Sequence, residues 1–446
     1  SFQHEVADVL RRVFFLDCLV RNAGPHRWDL AEQPLLDEVD VDAEATYAAS
    51  PGEQLVTYML APFDRIDDEL PDWHLSTYVE PVVDNVSPLP YLLSNLSLVY
   101  MPETSNLERS ELLDESLNDF YRGRPTPSAA SGDRVHRGME IGAVTSVDRV
   151  KPELHRGRVH GWLADDVPID VFKIEPSAYE NRFDYLDRDG DEIEVTLVLN
   201  DDEMGTEHET VADIYRDRAG DLPMNVTVRQ HLRRHELASV FETPRDFVHY
   251  IGHCERDGLR CTDGNLAIAD VRESNVQTFF LNACGSYYEG MDLVEKGSVA
   301  GAVTFNKVLN KQAAKVGVSF ARLLVNGFSI QDAMQFSRRR IRTGKDYAVV
   351  GDGTHQLAQS DITLPIVTEL TDEDGKYTIT YNPTVVRLVG SGYQPFLEEN
   401  DELYIYGDNA TFTLNKSELE SLLSRGDMPI IYDGELYWSN ELQTAL

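Results

Sequence analysis

Two side chains capable of covalent chemistry close apolar runs in this chain. His253 follows the run in "FVHYIGHC" (residues 247 to 254), and Cys284 follows the run in "TFFLNACGS" (278 to 286). A free thiol is only a few per cent ionised near neutral pH. An adjacent imidazole raises its effective nucleophilicity and can later protonate a leaving amine. Gly252, Ala283, Gly285 and Ser286 are small and leave room for a substrate backbone. The amide N–H of Cys284 and one beside His253 could hold the oxyanion of a tetrahedral intermediate. Taken singly, each residue also has a plain structural reading: a buried Cys acts as a small hydrophobe, and a His at a strand end is often just hydrogen-bonded in place.

Meeting in one crevice would require neighbouring parallel strands, because ligands of open parallel sheets bind beyond the strands' carboxyl ends. Residues 192 to 355 carry the pattern for that. "IEVTLVLN" reads as a strand and "TEHETVADIYRDRAG" as a helix. "MNVTV" and "RRHELASVFETP" repeat the alternation, and "FVHYI" is a third strand. "LRCTDGNLAIAD" places Asp263-Gly264 between apolar flanks, a hairpin signal. "TFFLNA" and "VAGAVTFN" are the fourth and fifth strands. The helix "QAAKVGVSFARLLVNG" follows, then a helix starting at Ser329 with Asp332 as capping partner, and the strand "YAVV" running into a tight Gly-Asp-Gly turn. Such alternation predicts right-handed crossovers and a mostly parallel sheet covered on both faces.

In this order the elements resemble the caspase-like (clan CD) cysteine peptidases over about 165 residues. The motifs that carry the likeness are "HYIGH", "FLNACGS" and "YAVVGDG". The likeness is strongest to the CHAT branch, with gingipains and separases as more distant relatives. It implies a three-layer α/β/α fold and hydrolysis of peptide bonds without a cofactor. His253 would be general base and acid, Cys284 the nucleophile, and the N–H groups of Cys284 and Cys254 the oxyanion donors. Two departures stand out. The family usually has Gly after the catalytic His, where this chain has Cys254. It also commonly places an acid after the fifth strand to read a basic P1 side chain, where "TFNKVLN" offers Asn306 and Asn310 instead. Asp263, Asp292 and Gly285 are the further candidates for substrate contact.

Other motifs point to no second chemistry. On a strand, His249 and His253 would sit about 13 Å apart, too far for one metal ion. Cys254, Cys261 and His253 lack a fourth zinc ligand. "DRDGDE" (187 to 192) misses the Gly register and distal Glu of a calcium loop. "VVGDG" ends a strand without opening a helix, unlike a phosphate loop. Arg338 to Arg340 read as counterions to an acidic surface.

That surface follows from 77 acidic against 40 basic residues among 446, a net charge of −37. Nucleic acid and anionic membranes are poor partners for such a chain, since phosphate binding needs a basic face. The dispersed acids and scarce lysines fit a solvated coat suited to a salt-rich cytoplasm. Four cysteines in no disulfide or metal spacing suit a reducing interior. The start lacks a secretory pattern and an initiator Met, as in a trimmed or mature chain. Two to three domains are expected from the length. They divide as a mixed α/β segment (1 to 121), a linker with β-hairpins (122 to 191), the caspase-like domain (192 to 355) and a β-rich domain (356 to 446). The flanking parts would regulate the enzyme or dock a protein substrate. Two other readings are open: a catalytically inactive scaffold that binds a regulatory partner, and a zymogen cut within residues 122 to 138.

Overall fold

The computed structural model describes residues 2–23, 32–70, 75–80, 89–94, 97–101, 149–155, 157–186, 192–201, 205–218, 223–305, 310–341, 346–357, 365–373, 375–384, 392–395, 397, 404–405, 409–424 and 428–445. Its centre is a ten-stranded sheet. In chain order the strands are β1 (Leu75–Val79), β2 (Leu98–Tyr100), β3 (Val159–Leu163), β4 (Phe172–Lys173), β5 (Ile193–Leu199), β6 (Met224–Gln230), β7 (Arg245–Ile251), β8 (Val276–Asn282), β9 (Ala300–Thr304) and β10 (Tyr347–Gly351). Across the sheet they run β2-β1-β3-β4-β10-β9-β8-β7-β5-β6.

The β9–β10 pair is antiparallel and the other neighbouring pairs are parallel. The sheet thus consists of two parallel halves that point in opposite directions. Strands from residues 75 to 173 and strands from 193 to 351 share it, joined at Lys173 and Val350. The part of the chain between 149 and 173, where hairpins were expected, pairs in parallel instead.

Helices cover both faces, and the alternation of side chains along each strand decides which residues meet them. Phe247 and Ile251 of β7 join a core with Val211 and Tyr215 of helix Gly205–Arg218 and with Phe320 and Leu324 of helix Asn310–Val325. Val248 and Tyr250 point to the other face, against Leu237 and Val240 of helix Arg234–Glu242 and Leu293 of helix Tyr287–Glu295. This is a three-layer α/β/α arrangement. The central strands are near-continuous runs of buried Val, Ile, Leu and Phe, as a sheet covered on both faces requires. At Gly301 in β9 a Cβ would lie 2.1 Å from the Phe279 ring, so no larger residue fits that crossing.

Two smaller units flank the sheet. The N-terminal helices, from Phe2–Ala23 to Pro51–Leu60, close around Phe15, Leu16, Leu19, Leu36 and Phe63. After residue 365 a five-stranded sheet forms, and its Val367, Ile431, Leu436 and Trp438 belong to the main core. Arg340 grips Glu441 with two hydrogen bonds of 2.9 and 2.8 Å, and the Arg322 guanidinium lies 3.9 Å from the Trp438 ring centroid. Arg338 pairs with Asp170. The Arg run is therefore spent on internal ion pairs and packing.

Candidate active site

Three adjacent strands set the site. Leu199 of β5, Ile251 of β7 and Asn282 of β8 lie in one row across the sheet, each paired with its neighbour. Two residues beyond that row come Asp201, His253 and Cys284. Adjacent strands are about 4.8 Å apart, so an acid, an imidazole and a thiol leave the same edge side by side.

His253 is fixed through both backbone and ring. Its carbonyl accepts hydrogen bonds from the Arg260 N–H at 2.9 Å and the Tyr250 hydroxyl at 3.1 Å. The same Tyr250 hydroxyl is 2.8 Å from the Arg260 carbonyl. The ring's Nε2 pairs with Oδ2 of Asp201. Asn200, one residue before Asp201, ties that strand end down. Its N–H donates to the Ile251 carbonyl (3.0 Å), its side-chain amide donates to the Arg260 carbonyl (3.0 Å), and its Oδ1 accepts from the Leu232 N–H (2.8 Å).

The Cys284 loop is held from β9. Thr304 Oγ1 donates to the Ala283 carbonyl at 2.5 Å and accepts from the Gly285 N–H at 2.8 Å. Ser286 Oγ donates to the Leu281 carbonyl at 3.0 Å and accepts from the Thr304 N–H at 3.1 Å. Gly285 has φ +72°, a left-handed turn that glycine makes without a Cβ clash. Ser286 is the N-cap of helix Tyr287–Glu295, so the thiol stands just ahead of a helix N-terminus, where partial positive charge favours an anion.

Cys284 and Cys18 are partly exposed, and Cys254 and Cys261 are buried. Burial, reinforced by Asp17, pushes the Cys18 thiol up to about 12. Burial and Asp263 push Cys261 up to about 11. Burial, with Glu289 next, drives Cys254 well above the ordinary thiol range. Cys254 opens a short strand that pairs with Leu259. It is not among the non-glycine residues with positive φ, so its Cβ meets no left-handed strain.

The weaker candidates scatter. Asp263 lies in an exposed turn, its carboxylate 2.8 Å from the Arg234 N–H at the start of helix Arg234–Glu242, and that hydrogen bond lowers its pKa. Asp292 sits in the second turn of helix Tyr287–Glu295, its pKa raised by burial and then by Glu295. Asn310 begins helix Asn310–Val325, whose first turn reaches the site where the Asn282 side-chain amide donates to the Ala313 carbonyl at 3.2 Å. Asn306 lies outside the described residues, as do most of "DRDGDE" and the 122 to 138 stretch.

His249 is buried beside Phe280, ring centroids 4.7 Å apart, away from the strand ends. Among the described residues no three His, Cys, Asp or Glu side chains gather as a metal would require, and no helix is long and apolar enough to cross a membrane. The sequence did not single out Asp201. It opens the run Asp201-Asp202-Glu203, in which only its position two past the paired row distinguishes one acid from the next.

No family model matches the chain, and no curated protein does. Solved structures do. The Arg-specific cysteine proteinase gingipain R matches over 77% of this chain and 98% of its own, at 7% identity and a TM-score of 0.40. The complex of Porphyromonas gingivalis RgpB pro- and mature domains matches over 77% of this chain and 99% of its own, at 8% identity and a TM-score of 0.40. The Saccharomyces cerevisiae separase–securin complex matches over 45% of this chain, at 11% identity and a TM-score of 0.33. This chain spans only 16% of that separase-complex chain.

Proposed function

We propose that the protein is a cysteine endopeptidase that uses His253 and Cys284 on a protein or peptide substrate. The observation that carries this reading is the common offset of the two residues beyond paired positions on adjacent parallel strands. The Cys284 sulfur attacks the carbonyl carbon of the scissile bond, and its proton passes to His253. The tetrahedral oxyanion is held by the N–H groups of Cys284 and Cys254. His253 returns the proton to the departing amine as the C–N bond breaks, leaving a thioester. Water then attacks the thioester carbon, His253 takes its proton, and the C–S bond breaks to release the acid and restore the thiol.

The hairpin geometry supports the role given to Cys254. The Arg260 N–H bonds the His253 carbonyl. By antiparallel alternation the next pair, Cys254 and Leu259, does not exchange hydrogen bonds, so the Cys254 N–H is directed away from the hairpin. The Gly285 N–H is committed to Thr304, so the proposed donors are the N–H groups of Cys284 and Cys254. The N-terminal helices and the β-rich C-terminal unit are the parts available for docking or regulation.

The test is alkylation of the thiols with iodoacetamide, followed by peptide-library cleavage. Selective labelling of Cys284 that is lost in His253→Ala, together with cleavage abolished in Cys284→Ala, supports the peptidase. Labelling equal in both proteins, without cleavage, points to the inactive scaffold.

A further inference from the structure

We propose that Asp201 is the positioning residue of this site, fixing both the orientation and the proton placement of His253. This rests on the peptidase reading for its purpose and on the structure for its geometry. A neutral imidazole carries its proton on one nitrogen, and the hydrogen bond made by that nitrogen determines which one. Oδ2 of Asp201 lies against Nε2. A carboxylate only accepts, so it holds the proton on Nε2 and leaves Nδ1 as the basic nitrogen. The pair is well shielded: the Asp201 side chain is 9% exposed and that of His253 25%. Little water competes for either group, and charge–dipole interactions are stronger there than at an open surface.

The scaffold suits such a role. Asp201 extends from β5, which flanks β7 on the side opposite β8. His253 therefore leaves the sheet between the acid and the thiol, each partner on its own strand. Asn200 anchors the acid's backbone to the Ile251 carbonyl and its own side chain to the Arg260 carbonyl. Arg260 in turn donates to the His253 carbonyl. Acid and imidazole thus share one set of supports, and their pairing is built into the strand ends. Once His253 accepts the thiol proton at Nδ1, the imidazolium keeps its Nε2–H on the carboxylate, which offsets the new positive charge.

The test combines histidine-nitrogen NMR with kinetics on the full chain. In the unmodified protein His253 should show a protonated Nε2 and a bare Nδ1. Asp201→Ala should give a mixture of tautomers. Asp201→Asn can turn its amide N–H toward Nε2 and should favour the opposite tautomer. Both variants should lower the iodoacetamide rate at Cys284 by roughly tenfold or more, with thermal melting little changed by the near-isosteric Asn. Asp201→Glu should recover part of the rate. An unchanged tautomer and a labelling rate within about twofold of the parent in Asp201→Asn would overturn the assignment. The NMR readout needs no peptide cleavage. A protein with the expected tautomer but no cleavage would sink the peptidase reading and leave the Asp201–His253 pairing standing.

Discussion

His253 and Cys284 each stand two residues past a paired position, Ile251 on β7 and Asn282 on β8. The sheet's register, more than either residue's own surroundings, brings imidazole and thiol to one edge. Changes that disturb the strand ends should therefore act on chemistry before they act on folding.

Thr304 is the sharpest case, since its hydroxyl bridges the Ala283 carbonyl and the Gly285 N–H on either side of Cys284. Thr304→Val keeps the shape and removes both bonds, which should cost about 1–3 kcal/mol in a urea melt. The iodoacetamide rate at Cys284 should fall roughly tenfold as the loop loses its register. Thr304→Ser should restore both.

Cys254 offers the opposite test. Its backbone needs no left-handed φ, and its thiol fills a buried position among Leu259, Leu266 and Ala283. Cys254→Gly should leave Cys284 labelling within about threefold and lower stability by about 1–2 kcal/mol through lost packing and added chain entropy. A large rise in the rate of peptide cleavage would instead mean that the Cβ obstructs the oxyanion donors.

Asp332 should make stability depend on pH. It is buried in the first turn of helix Ile330–Ser337, beside Ser329 Oγ at 2.7 Å, and burial pushes its carboxyl up to about 7. A folded-state pKa above the unfolded 3.8 means the native protein holds the proton more tightly. This group's contribution is then most favourable below pH 3.8 and declines as pH rises to about 7. The whole displacement corresponds to at most about 4 kcal/mol. Asp332→Asn should flatten that part of the curve, so melts at pH 5 and pH 8 should differ less in the variant than in the parent.

The net charge of −37 sets a fourth expectation. Self-repulsion among the acids is screened over about 10 Å at 0.1 M salt and about 3 Å at 1 M. The melting temperature should climb by several degrees between these concentrations of potassium chloride, most steeply at the low end. A flat response would show that the acids left without a basic partner stand too far apart to repel one another appreciably.

Much of this was legible in the residues. "FVHYI" and "TFFLNA" fall on β7 and β8, and Ser329 caps the helix that begins at Ile330, because apolar runs and capping chemistry are local signals. The hairpin around Asp263 formed for the same reason. Asp201 was not legible: its partner lies 52 positions away, and the two acids that follow it look the same in sequence. The reach of the sheet was also hidden. β4 is a two-residue strand held by two pairs with β3 and one with Val350, and β3 contains a His and a Gly that weaken any strand pattern. Only tertiary partners reveal such strands.

The reversal at β9 and β10 gives the molecule two poles. One group of strands empties toward Cys284. The other empties at the far pole, where the Lys173 ammonium reaches the carbonyls of Ala164 and Asp166. Among the described residues, the ladder joining these groups is one seam of five pairs, from Ala300 with Gly351 to Thr304 with Tyr347. The last rung belongs to Thr304, whose hydroxyl also holds the turn around the thiol. A slip of that seam, like one rack sliding past another, would register first at Cys284.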